Sequence, residues 1–113
     1  MSDKNISDAV EYLYTHGRKY AEAKAHRVYL EEFRKSKKAM LMKTALSNGI
    51  AKSSAAAEME AYADVAYVEL LKGIAAATEA AEALRWGLVA AQARIEVFRT
   101  IEASNRMMDR ASM

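Results

Sequence analysis

The residues from which a metal or acid–base site would have to be built are two histidines, His16 and His26, and the acids near them. Glu22 and His26 stand one helical turn apart and share a face, but a metal site in a helical bundle needs several such contributions from facing helices. No second acid–histidine pair accompanies them, and His16 does not share the face of His26. The chain has no cysteine, so thiolate ligands and disulfides are excluded. Ser36, Ser47, Ser53, Ser54, Ser104 and Ser112 lack a glycine-framed nucleophile elbow, and no glycine-rich phosphate loop occurs. The acid pairs Glu31/Glu32 and Glu58/Glu60 are ordinary on solvated helices. The expectation is a protein with no catalytic, cofactor-binding or metal-ligating residue, and not an enzyme.

Charge offers a stronger lead. The net charge of +2 is too small to argue for a polyanion partner, but it is unevenly spread. Arg34, Lys35, Lys37, Lys38, Lys43 and Lys52 form a stretch with no acid among them. Glu58, Glu60, Asp64, Glu69, Glu79 and Glu82 follow, opposed only by Lys72. Arg34, Lys35, Lys37, Lys38 and Lys43 are therefore the candidate contacts for nucleic acid or an acidic partner, with Tyr29 and Phe33 just before them to stack on bases. The competing reading makes the run one side of an intramolecular match. In an antiparallel hairpin the basic block meets the acidic one, and Arg94 to Arg110 meet Asp3, Asp8 and Glu11.

The second lead is LRWGLVAAQARIEVFRT, residues 84–100, which carries the only tryptophan. Around it Ala63, Tyr67, Leu70, Ile74, Ala77, Ala81, Leu84, Leu88, Ala91, Ile95 and Phe98 recur at alternating steps of four and three. That is the spacing of a coiled-coil seam. Gly73, Ala80 and Gly87 flank it on one side, small enough to admit a neighbouring helix. Arg85, Gln92, Arg99 and Arg106 flank it on the other, long enough to reach charges on that neighbour. Trp86, Ala90, Ala93 and Val97 form a second row off the seam. A second apolar row needs a second neighbour, so these four are the candidate oligomer or partner interface.

The elements that must position these residues are helices. The chain has no proline and four glycines in 113 residues, so little interrupts a helix over long distances. A first helix is expected over about 7–46, capped by Ser7 or Asn5 and stopped at SNG, where Gly49 suits the left-handed position after a helix. A loop and a short helix starting at Ser54 occupy about 47–63. Asp64 then caps a second long helix over about 64–107. Many of the apolar residues are alanine, so the core should be thin and closely packed.

The first helix is the less regular: Val10, Leu13, Tyr20, Ala21, Val28, Leu30, Leu41 and Met42 drift around its axis. Met40 and Met42 read as core filler. Met107, Met108 and Met113 read equally as a frayed end or as a small contact patch. Neither an apolar leader nor a run long enough to span a bilayer is present, so a cytoplasmic protein with no membrane partner is expected.

The segments AHRVYLEEFRKSKKAMLM, EMEAYADVAY and LRWGLVAAQARIEVFRTIEASNR resemble a group of small helical proteins encoded in tailed-phage and prophage genomes, often near recombination and replication genes. The likeness covers about residues 18–110 and carries no catalytic motif. It implies a bacterial cytoplasm and a phage-encoded role in DNA metabolism or in countering host defences, and it transfers no site residues.

The expectation is a single all-α domain over 1–113: an antiparallel hairpin of two long helices with a short helical segment at the turn, packed in coiled-coil fashion. It is expected to assemble into a homo-oligomer, a dimer first. The expected function is non-catalytic, through a protein or nucleoprotein partner in DNA recombination or replication. Inhibition of a host nuclease or CRISPR-type effector, and direct single-stranded DNA binding, are the alternatives.

Overall fold

The computed structural model describes residues 3–112, with side chains from Lys4 onward. The side chain of Asp3, expected opposite the late arginines, and Met113 lie outside the described residues. Three helices follow one another: α1 over Asp3–Ser47, α2 over Ser54–Ala63 and α3 over Val65–Ser112. No strand occurs among the described residues.

Local chemistry accounts for each break. Gly49 adopts φ 71°, the left-handed conformation that ends α1, and its N–H reaches the Leu46 carbonyl at 3.3 Å. The Ala51 N–H then bonds the Ala45 carbonyl at 3.1 Å, folding the chain back against the helix it has just left. Ser53 caps α2, its hydroxyl accepting from the Ala56 N–H at 3.1 Å. Asp64 is extended at ψ 136° and separates α2 from α3. Its carboxylate accepts from the Ala66 N–H at 2.8 Å and caps α3.

The outer ends differ from expectation. Helix α1 begins at Asp3, ahead of Asn5 and Ser7, and α3 continues to Ser112, past 107. With neither proline nor glycine near either end, only fraying limits the helices, and side-chain propensity places such an end poorly.

The chain gathers into two compact units. One combines α1 up to Glu22 with α3 from Glu82 onward; the other spans Ala23–Ala81. Helices α1 and α3 each run through both. Within the first unit Leu13 shares a recess with Ile95, while Tyr20 lies within electrostatic reach of Arg85. The residue numbers rise on one helix as they fall on the other, so the two segments are antiparallel in a hairpin-like arrangement. In the second unit α2 lies against α1 through Ala45, Ala51 and Ala57, flanked by Met42 and Ala56.

Burial follows the α3 spacing. Tyr67, Leu70, Ile74, Ala77 and Ala81 in the second unit are buried or half-buried, as are Leu84, Leu88, Ala91, Ile95 and Phe98 in the first. Ala63 is the exception: it is exposed and closes α2. Among the described residues the buried apolar ones are Ala9, Ala45, Ala51, Ala57, Ala61, Tyr67, Ala77, Ala81 and Ala91. Eight of these nine are alanines, so the helices meet backbone to backbone and larger side chains sit at the borders of the contact, half in water.

The inward line of α1 differs from the drifting residues read along it. Val10, Ala21 and Val28 are exposed, while Ile6, Ala9, Leu13, His16 and Tyr20 turn inward in the first unit. In the second unit Ala23, Arg27, Leu30, Lys37, Leu41 and Ala45 do so. Polar side chains at His16, Arg27 and Lys37 break the apolar text of a line that is regular in space.

Candidate functional site

Two surfaces gather residues with binding chemistry, one in each unit. In the second unit Arg34, Lys35 and Lys38 on α1, Tyr62 on α2 and Tyr67 on α3 line an open recess of about 310 Å³. Arg34 and Lys38 are four residues apart and so share a helical face, with Lys35 beside them. The Asp64 break turns the chain between the tyrosines, whose rings meet edge to face at 5.5 Å. Tyr67 is buried, 7% exposed, and forms the floor; Tyr62 is half exposed and forms a wall.

The cations of the recess differ in their partners. The Lys35 ammonium pairs with Glu32 at 3.2 Å, one turn earlier on α1. Lys38 Nζ lies 3.5 Å from the Glu58 carboxylate of α2 and 4.7 Å from the centre of the Tyr62 ring. A hydrogen bond to Tyr62 raises the Lys38 pKa above the ordinary lysine value; partial burial opposes this, and the Glu58 charge adds to the rise. Among the described residues Arg34 has no carboxylate within ion-pair distance. No protein group among the described residues engages the donors of its guanidinium.

The basic run is thus divided by the fold. Arg34, Lys35 and Lys38 come together, whereas Lys37 is half-buried on the inward line of α1 and Lys43 is exposed outside the recess. Tyr29 and Phe33, expected to serve as stacking partners, pack on each other at 6.1 Å and do not line the recess. Tyr62 and Tyr67 line it instead. Sequence reasoning assigned Tyr67 to the seam and Tyr62 to the short helix; the available signal was their position on either side of the Asp64 cap in AYADVAY.

The expected match between oppositely charged helices is realised once here, in Lys38 with Glu58, on α2 rather than on α3. Further pairs lie within single helices: Arg18 with Glu22, Arg27 with Glu31, Lys72 with Glu69, Arg85 with Glu82, and Arg99 with Glu96. Arg85 and Arg99 therefore reach back three residues along α3 instead of across to α1. Among the described residues no ion pair links Asp8 or Glu11 to Arg94, Arg99, Arg106 or Arg110. Glu22 is engaged with Arg18 at 3.3 Å, and His16 stacks on Tyr12 with ring centres 3.9 Å apart. No group of three or more metal-ligating side chains is assembled among the described residues.

No protein-family model, curated protein or solved structure matches the chain. No helix among the described residues is long and apolar enough to cross a membrane.

The surface of the first unit is apolar. Trp86 is 59% exposed on α3, and Ala90, Ala93 and Val97 are exposed along the same row. Val89 and Ile101 widen it. The Arg85 guanidinium lies 4.6 Å from the Trp86 ring centre while one of its nitrogens holds Glu82 at 2.9 Å, so the indole is steadied by a fixed cation. The hydrogen bond to Glu82, then its charge, raises the Arg85 pKa further, and the guanidinium stays charged. Among the described residues of the first unit nothing covers this row.

Proposed function

We propose that this protein acts without catalysis, as a phage-encoded interaction protein that binds a protein or nucleoprotein partner in DNA recombination or replication, in a bacterial cytoplasm. The observation that carries the reading is the exposed row Trp86, Ala90, Ala93 and Val97. A tryptophan at the end of a stripe of small side chains presents a large apolar area on a firm helical support. Exposed apolar patches of this kind mark contact surfaces, and tryptophan is among the residues that dominate their binding energy. The same row serves a second copy of the chain: a homodimer would bring four long helix segments together in a bundle and cover both stripes of α3.

The experiment is affinity capture from phage-infected cells with wild-type protein and with Trp86→Ala. The reading expects a phage annealing or single-strand-binding protein on the wild type and its loss from the variant. A host nuclease or CRISPR-type effector retained in its place would favour the inhibitor function. Identical captures by both proteins would remove the role of the row.

The basic recess of the second unit favours a second reading, direct binding of single-stranded DNA, because it sets cations beside half-exposed aromatic surface.

A further inference from the structure

We propose that the recess formed by Arg34, Lys35, Lys38, Tyr62 and Tyr67 binds one phosphodiester of a single-stranded nucleic acid, with Arg34 on the phosphate and the adjoining base against the Tyr62 ring. The proposal deepens the nucleic-acid side of the function above and is independent of the Trp86 row.

The ligand class follows from the lining. Three cations converge from one face of α1, and Arg34 has its planar fork of donors uncommitted, the geometry that grips a phosphate through two parallel bonds. Lys35 and Lys38 now face single carboxylates at 3.2 and 3.5 Å. The Lys35 pair is open to water and weak, so its ammonium is available to a group with more negative charge and more acceptors, while the half-buried Lys38 adds its charge beside the ring. Around the cations stand aromatic walls, not apolar aliphatic ones. Tyr62 is 46% exposed, and its ring meets the Tyr67 ring edge to face and lies beneath the Lys38 ammonium.

Carboxylates of an acidic peptide would satisfy the cations but leave the ring without a planar partner. In a duplex the base faces are covered by their neighbours, whereas an unpaired strand offers both groups together. At about 310 Å³ the open recess is on the scale of one nucleotide unit.

Lys43 supplies an internal control. It carries the same charge as Arg34 but follows it by nine residues, about half a turn around α1 at roughly 100° per residue, and it does not line the recess.

The test is fluorescence anisotropy of the full chain with labelled oligothymidylate of about 15 nucleotides, the matching duplex, and an oligoglutamate peptide, over a range of salt concentrations. The wild type should bind the single strand best. Arg34→Gln should weaken binding by about ten-fold, the scale of one charge-assisted hydrogen bond, and should flatten the logarithmic salt slope by about 0.7. Tyr62→Leu should weaken binding without changing that slope, Tyr62→Phe should bind nearly as wild type, and Lys43→Gln should fall far less than Arg34→Gln. Circular dichroism of each variant checks that the helices persist. Lack of strand binding at low salt overturns the proposal. So does preference for the peptide, or equal losses from Arg34→Gln and Lys43→Gln, which would mean diffuse attraction. Partner capture through Trp86 would stand or fall separately.

Discussion

Tyr12 of α1 rests on Gly87 of α3: a methyl group built on the glycine would overlap the Tyr12 hydroxyl and stand 2.9 Å from the ring carbon that bears it. The contact explains why this flanking position of the seam is glycine. It also separates Gly87 from Gly73, which holds the equivalent position two heptads earlier and has nothing within 4 Å.

Gly87→Ala should therefore be destabilising although alanine is the better helix former. Helix propensity would return about 1 kcal/mol, and the overlap would cost about 1 to 3 kcal/mol. Urea unfolding should show a net loss of roughly 1 kcal/mol. In a Tyr12→Ala background the same change should be stabilising, because the obstructing ring is gone. A gain in both backgrounds would mean that Tyr12 does not pack there in solution.

The alanine core should respond more to added volume than to its removal. Ala57 is fully buried between α1 and α2, and Ala57→Leu should lower stability by about 1 to 3 kcal/mol through overpacking. Leu84 and Leu88 are only half-buried, so Leu84→Ala or Leu88→Ala should cost about 1 to 2 kcal/mol, below the usual 2 to 5 for emptying an enclosed site. Thermal melts of the three variants order the effects.

The Lys38 contact sets an alkaline limit. Its pKa is raised in the folded chain, so the stability it contributes is fully present below the ordinary lysine value and is lost as pH rises through the raised one. The difference in melting temperature between wild type and Lys38→Met should be constant from about pH 6 to 9 and should shrink above about pH 10.4. A difference that vanished near neutral pH would assign the effect to another group.

Self-association is checked by light scattering. If the Trp86 row joins two copies, the wild type should have the mass of a dimer and Trp86→Ala should dissociate at lower dilution. A mass of one chain across a wide concentration range would leave the row to an external partner.

Much of the architecture was legible in the sequence. Missing prolines, Gly49 in SNG, the serines at the start of α2 and Asp64 before α3 act within a few residues of chain, and each appears where local chemistry puts it. The inward line of α3 was legible from Tyr67 to Phe98 because it is apolar at every step. These features depend on dihedral angles, caps and period, all carried by neighbours in sequence.

Tertiary packing decided the rest. On α1 the inward line passes through His16, Arg27 and Lys37, polar residues that only an opposing helix can orient, so apolar spacing alone misplaced it. The basic run looked continuous until rotation about the helix axis sent Lys37 inward and Lys43 away from Arg34, Lys35 and Lys38. Tyr62 and Tyr67 joined those three across two other helices, while Tyr29 and Phe33 pack on each other outside the recess. A sequence fixes which residues share a face of one helix; which faces of different helices meet depends on backbone approach distance, set here by buried alanines and a single glycine.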